Sequence, residues 1–142
     1  MKSVQTAESG GRGSREGWLE AGYQALLEGG VDAVKIQPLA RRLKLSRTSF
    51  YWFFADREAL LSALVEGWAS RTTDPLLAAS AEYAESPAEA MLNVLACFLS
   101  GSFDARLEFA IRSWALQDPG VADRVAAADE ARLNALRGML AR

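Results

Sequence analysis

The chain contains no histidine, a single cysteine and four prolines in 142 residues. Without an imidazole there is no Ser/His or Cys/His nucleophile pair, no His-ligated metal and no acid/base group that titrates near neutrality at its ordinary pKa. The lone Cys97 cannot close a disulfide within the chain or build a thiolate zinc cluster, and its apolar setting, MLNVLACFLS, points to a buried thiol in a reducing cytoplasm. Long hydrophobic runs are also missing. None approaches the length needed to span a bilayer, and the opening MKSVQTAESGGRGS lacks the apolar centre of a signal peptide, so a cytoplasmic protein with no membrane partner is expected. Carboxylates are plentiful, but Glu28 and Asp32, Glu82, Glu85 and Glu89, or Asp129 and Glu130, fall in polar stretches where a solvated helix face is the ordinary reading. With no phosphate-binding loop either, the sequence predicts a protein that is not an enzyme and needs no cofactor or metal.

What is present is apolar mass and one basic island. Half of the residues are hydrophobic and 24% are charged, enough for a core without cross-links. The net charge of −2 conceals an asymmetry: residues 35 to 57 hold Lys35, Arg41, Arg42, Lys44, Arg47 and Arg57 against the single Asp56, a local +5 that leaves −7 for the rest. A basic island in a mildly acidic chain marks a local contact with a polyanion. Immediately inside it, Phe50 to Phe54 form five consecutive aromatics.

Helical signals run throughout, with no strand pattern. Residues 1–13, small and polar, read as a mobile arm. Ser14 is placed to cap a first helix that carries Leu19, Gly22, Tyr23 and Leu26 at helical spacing and stops at Gly29-Gly30. A short helix, PLARRLK, follows from Pro38; a turn of some three residues separates it from a third, RTSFYWFF, capped by Ser46, and Asp56 caps a fourth from Arg57. Longer Ala- and Leu-rich helices come next: one that Asp74-Pro75 either kinks or restarts, one opened by Ser86-Pro87-Ala88-Glu89, one capped by Asp104 and one by Asp118. The expectation is all-α, about seven helices, with a head over 14–58 and a helical body over 59–142.

Two short helices joined by a tight turn in the basic island are what a helix-turn-helix needs, the second helix entering the major groove and the first lying across the phosphates. On the third helix Phe50 and Phe54 share one face, while Arg47, Thr48, Tyr51 and Trp52 project elsewhere. One face packs and the other is free to read DNA. For Arg41 and Arg42, DNA contact and a solvated face stand level.

The stretch AVKIQPLARRLKLSRTSFYWFFADREALL resembles the DNA-binding head of the TetR family of bacterial transcriptional repressors, and with the first helix the resemblance covers about residues 14 to 64. It implies a sequence-specific regulator, a homodimer on a palindromic double-stranded DNA operator, released by a small-molecule inducer held in the helical body. Position by position it implies that Arg47, Thr48 and Ser49 face base edges, with Arg47 bonding a guanine. Tyr51 would bond a phosphate and Trp52 a backbone sugar or thymine methyl. Arg57, Lys35 and Gln37 would hold phosphates, and Arg12 and Arg15 join as backbone contacts. Three positions depart from the family pattern: Phe53 stands where a histidine is usual, Lys44 where the turn has glycine, and Lys35 where a threonine caps. For the inducer pocket the candidates are Trp68, Phe98, Phe109 and Trp114 with Arg112 as polar anchor, although core packing and a pair between Arg112 and Glu108 are the alternatives. Family members commonly continue with two further helices that form the dimer interface, and this sequence stops before them; the alternative reading is an interaction module that pairs with another regulator without binding an operator itself.

Overall fold

The computed structural model describes residues 11–142. Residues 1–10 of the expected arm lie outside the described residues. Among those described the chain is helical with no β-strand, and no helix is long and apolar enough to cross a membrane. The described residues divide into two compact units, the first ending at Leu64 and the second running from Val65 to Arg142. The boundary expected after residue 58 falls six residues short of this division, because Leu60, Leu61 and Leu64 are buried residues of the first unit.

The first unit opens with α1 (Arg15–Gly29), capped by the Ser14 hydroxyl, which accepts from the Gly17 N–H at 3.0 Å. It ends where Gly30, at φ 77°, returns its N–H to the Leu26 carbonyl at 2.9 Å. A 3₁₀ turn (Val31–Ala33) leads into α2 (Ile36–Leu43), which begins two residues earlier than Pro38 suggests and takes Lys35 as an extended N-cap without a side-chain bond. After Lys44, Leu45 and Ser46 comes α3 (Arg47–Phe50), then α4 (Arg57–Trp68). α3 is shorter than expected. Beyond Phe50 the N–H groups of Tyr51, Trp52 and Phe53 bond carbonyls three residues back, so the winding tightens instead of continuing as α-helix. The unit closes around Trp18, Leu26, Val34, Leu39, Ala40, Phe50, Leu60 and Leu64, all essentially inaccessible. Gly22 brings the backbone of α1 against Leu60 and Leu64, where a Cβ would meet Leu64 Cδ2 at 3.2 Å, and the Tyr23 hydroxyl donates to the Leu64 carbonyl at 3.0 Å.

The second unit takes up the end of α4, a π-helical turn (Ala69–Thr73), α5 (Asp74–Ala81), α6 (Pro87–Leu99), α7 (Ala105–Ala115) and α8 (Pro119–Ala141). Pro75 neither breaks nor restarts the helix; the widened turn just before it carries the chain through, with the Asp74 N–H bonding Ala69 O five residues back. The expected caps form. Ser86 accepts from Glu89, Asp104 from Leu107, and Asp118 from Gly120 and Val121. Leu76, Ala90, Val94 and Met139 form a core cluster where α5, α6 and α8 meet. Beside it stands a polar one. Glu108, largely buried, accepts from Trp68 Nε1 at 2.8 Å, from Arg112 Nε at 2.8 Å and from Arg132 Nη1 at 2.7 Å, and Arg112 also forks onto Asp129. Arg132 completes its own set on Thr72 Oγ1 and Thr73 Oγ1 at 3.0 and 3.1 Å. Burial pushes the Glu108 carboxyl upward, but the bonds from Arg132, Arg112 and Trp68 outweigh it and hold the group at about 2. Asp129 and Glu108 together keep Arg112 firmly protonated.

Candidate nucleic-acid interface

The turn between α2 and α3 sets the angle of the pair. Lys44 adopts the left-handed conformation at φ 57°, ψ 42°, the one described non-glycine residue with positive φ. Its N–H bonds the Arg41 carbonyl at 3.1 Å and the Leu45 N–H bonds Ala40 at 2.9 Å, the paired bonds of a helix C-terminus that glycine ordinarily closes. A lysine here retains a cation at the cost of a strained backbone. Ser46 then starts α3, its hydroxyl accepting from the Ser49 N–H at 3.2 Å.

The aromatic block divides as its spacing implies. Phe50 and Phe54 are buried, stacked on each other at 5.3 Å between ring centres, and Trp18 meets Phe50 edge-on at 5.4 Å. Tyr51 and Trp52 are 46% and 68% exposed, beside exposed Arg47 and Thr48. Arg47 makes no ion pair among the described residues. Lys35, Gln37 and Arg41 are exposed on or just before α2, whereas Arg42 reaches back to Glu28 at 3.2 Å. Phe53, where the family pattern has histidine, is half-buried.

Two of the expected contacts are corrected. Ser49 is only 6% exposed; its hydroxyl lies 2.8 Å from Ser46 Oγ and donates to the Gly11 carbonyl at 3.2 Å, so it supports the helix and does not face base edges. Arg57 spends its guanidinium on the protein: Nε donates to the Val34 carbonyl at 2.6 Å and Nη2 to Val31 at 3.0 Å, fastening α4 to the segment ahead of α2. Residues Lys35, Gln37, Arg47, Thr48, Tyr51 and Trp52 thus remain as an exposed set in the first unit. Sequence reasoning left unexplained how residues 11–13 meet this set: Arg12 lies with its guanidinium 3.8 Å from the centre of the Trp52 ring.

The proposed inducer pocket does not assemble. Trp68 is fully buried on Glu108, Trp114 is buried, Phe98 and Phe109 are 46% and 75% exposed, and Arg112 is held by Glu108 and Asp129. A cleft of about 400 Å³ in the second unit is lined by other residues, among them Tyr83, Glu85, Ala90 and Met139.

A compact three-helix head with a capped helix-turn-helix, a buried aromatic anchor and an exposed cationic face defines the class of a helix-turn-helix domain. Residues 19–64 match the family model described as bacterial regulatory proteins, tetR family. The likeness to that family is thus confined to the head. The tetracycline repressor protein class G of Vibrio anguillarum is 42% identical over 48 residues, which are 34% of this chain and 23% of that protein. The chain therefore matches less than a quarter of that relative's length. No solved structure matches the chain.

Proposed function

We propose that the chain is a sequence-specific DNA-binding transcriptional regulator whose head reads one half of a palindromic operator. The observation that carries this reading is the division of α3 and the turn after it: Phe50 and Phe54 are sunk in the core while Arg47, Thr48, Tyr51 and Trp52 stand exposed beside it. Arg47 presents a planar fork suited to the O6 and N7 atoms of guanine, and Lys35, Gln37 and Tyr51 are positioned for phosphates. The match to a protein named a tetracycline repressor supports repression relieved by a small ligand. Nothing in the reading involves catalysis.

A homodimer fits the second unit. Met91, Leu92, Leu95, Phe98 and Leu99 are all exposed on α6 at helical spacing, an apolar stripe of the kind that associating helices cover. Two heads about 34–36 Å apart would then meet successive major grooves. The same stripe favours the second reading, an interaction module that pairs with another regulator and binds no operator of its own.

The two are separated by selecting duplexes from fragmented genomic DNA at moderate salt and weighing the complexes by sedimentation. Retention of a palindromic sequence by wild type, lost with Arg47→Ala and Tyr51→Ala, supports the operator reading. Stable protein association with no duplex retained at any salt concentration supports the interaction module instead.

A further inference from the structure

Residues 11–13 are not simply a lead into α1. The Trp18 indole N–H donates to the Arg12 carbonyl at 3.2 Å, and the Ser49 hydroxyl donates to the Gly11 carbonyl at 3.2 Å, so α1 and α3 each hold one peptide of the segment. Gly13 lies at φ 75°, a conformation that favours glycine, and it packs against the Leu45 side chain, whose Cδ1 a Cβ there would meet at 2.6 Å and push aside. Between these fixed points the Arg12 side chain lies over Trp52, its guanidinium carbon 3.8 Å from the ring centre.

This arrangement explains two oddities together. Trp52 is 68% exposed although indole is a costly group to leave in water, and Ser49 is buried although it opens the recognition helix. Both serve the segment ahead of α1: the serine anchors its backbone and the tryptophan supports its charge. Stacking engages only the face of a guanidinium. Its N–H edge stays available, and an arginine held over an exposed ring has already lost part of the rotamer freedom that a phosphate contact would otherwise cost.

Resting on the operator-binding reading above, we infer that Trp52 is the positioning residue for the expected phosphate contact of Arg12, and not itself a contact to a sugar or thymine methyl. The ligand is a phosphodiester of the duplex beside the groove entered by α3. Trp52 acts through Arg12, so removing either partner removes the same contact.

The test is a duplex-binding titration of the full chain, followed by fluorescence anisotropy of a labelled palindrome selected with the wild-type protein, over a salt series. Arg12→Ala weakens binding roughly three- to tenfold and lowers the slope of log affinity against log salt by about one. Trp52→Ala gives the same loss and the same change of slope, the double variant is no worse than either single, and Trp52→Phe, which keeps a ring, recovers most of the affinity. Gly13→Ala, which displaces the backbone without touching a charge, reproduces the Arg12→Ala slope. An unchanged slope in Arg12→Ala, or losses in the two singles that add in the double variant, overturns the inference while leaving operator binding intact. A wild-type chain that retains no duplex overturns both.

Discussion

Arg57 Nε donates to the carbonyl of Val34 at 2.6 Å, and through Nη2 the same guanidinium holds Val31. One arginine thereby secures the backbone from the 3₁₀ turn to the start of α2, adding a charged donor to the Val31 carbonyl, which also accepts from the Val34 N–H at 3.0 Å. Replacing it with alanine leaves two carbonyls without their charged donor. Arg57→Ala is expected to lower stability by about 1–3 kcal/mol, measured by urea denaturation, while the salt dependence of duplex binding by the folded fraction stays that of wild type. A fall in the salt slope with no loss of stability would return Arg57 to the phosphate contacts.

The left-handed turn at Lys44 makes the opposite prediction. A side chain in this conformation costs about 1–2 kcal/mol, part of which glycine returns through its freer unfolded chain. Lys44→Gly should therefore raise stability by about 0.5–1 kcal/mol, seen as a higher urea midpoint at unchanged m-value. Lys44→Ala retains the strain and should leave the midpoint near wild type.

Acid should act on the second unit through Glu108. Its carboxyl stands near 2 in the folded chain against an ordinary 4.5. Because the folded value is the lower one, the charged form contributes stability above about pH 4.5, and that contribution is lost as pH falls toward 2. The difference corresponds to about 3 kcal/mol. Urea titrations from pH 7 to pH 2 should show a loss of this order in wild type that is missing from the profile of Glu108→Gln, which starts less stable at neutral pH.

Arg132 should be the most sensitive member of that network. It bonds Glu108, Thr72 and Thr73 and lies over the rings of Trp68 and Phe103, its side chain nearly buried. Arg132→Ala takes the charged bonds of Arg132 from Glu108, which keeps Arg112 and Trp68, and is expected to cost about 1.5–3 kcal/mol, while Arg132→Met together with Glu108→Leu recovers a large share by removing both charges. Thermal melts of the three variants provide the comparison.

Local chemistry made most of the head legible. Ser14, Ser46, Asp56, Ser86, Asp104 and Asp118 all cap where a short polar side chain precedes an apolar repeat, since a cap depends only on residues three positions away. Phe50 and Phe54 declared their burial by spacing, and Lys44 stood out as a lysine where the resemblance has a turn glycine. The failures are long-range. Nothing near Arg57 in sequence announces carbonyls 23 and 26 residues earlier, and Ser49 meets Gly11 across 38 positions. Arg112 with Glu108 was visible as a pair four residues apart, whereas Arg132, 24 residues from Glu108, was not. A pocket assembled from aromatic spacing alone failed for the same reason: helical periodicity gives the face of each residue but not what that face meets.

The π-helical turn at Ala69–Thr73 has a consequence for how the chain tolerates changes of length. Thr72 returns its hydroxyl to the Trp68 carbonyl at 2.7 Å, while Thr72 and Thr73 both reach Arg132, and Trp68 reaches Glu108. A π-turn absorbs one extra residue while the helix on either side keeps its facing. Removing one residue here would restore the ordinary pitch and leave Leu76 directed at its cluster, yet it would take away the spacing from which Thr72 and Thr73 both reach Arg132. Length at this point thus belongs to the polar network: a deletion that the helix itself would absorb is felt by the side chains that hold Arg132.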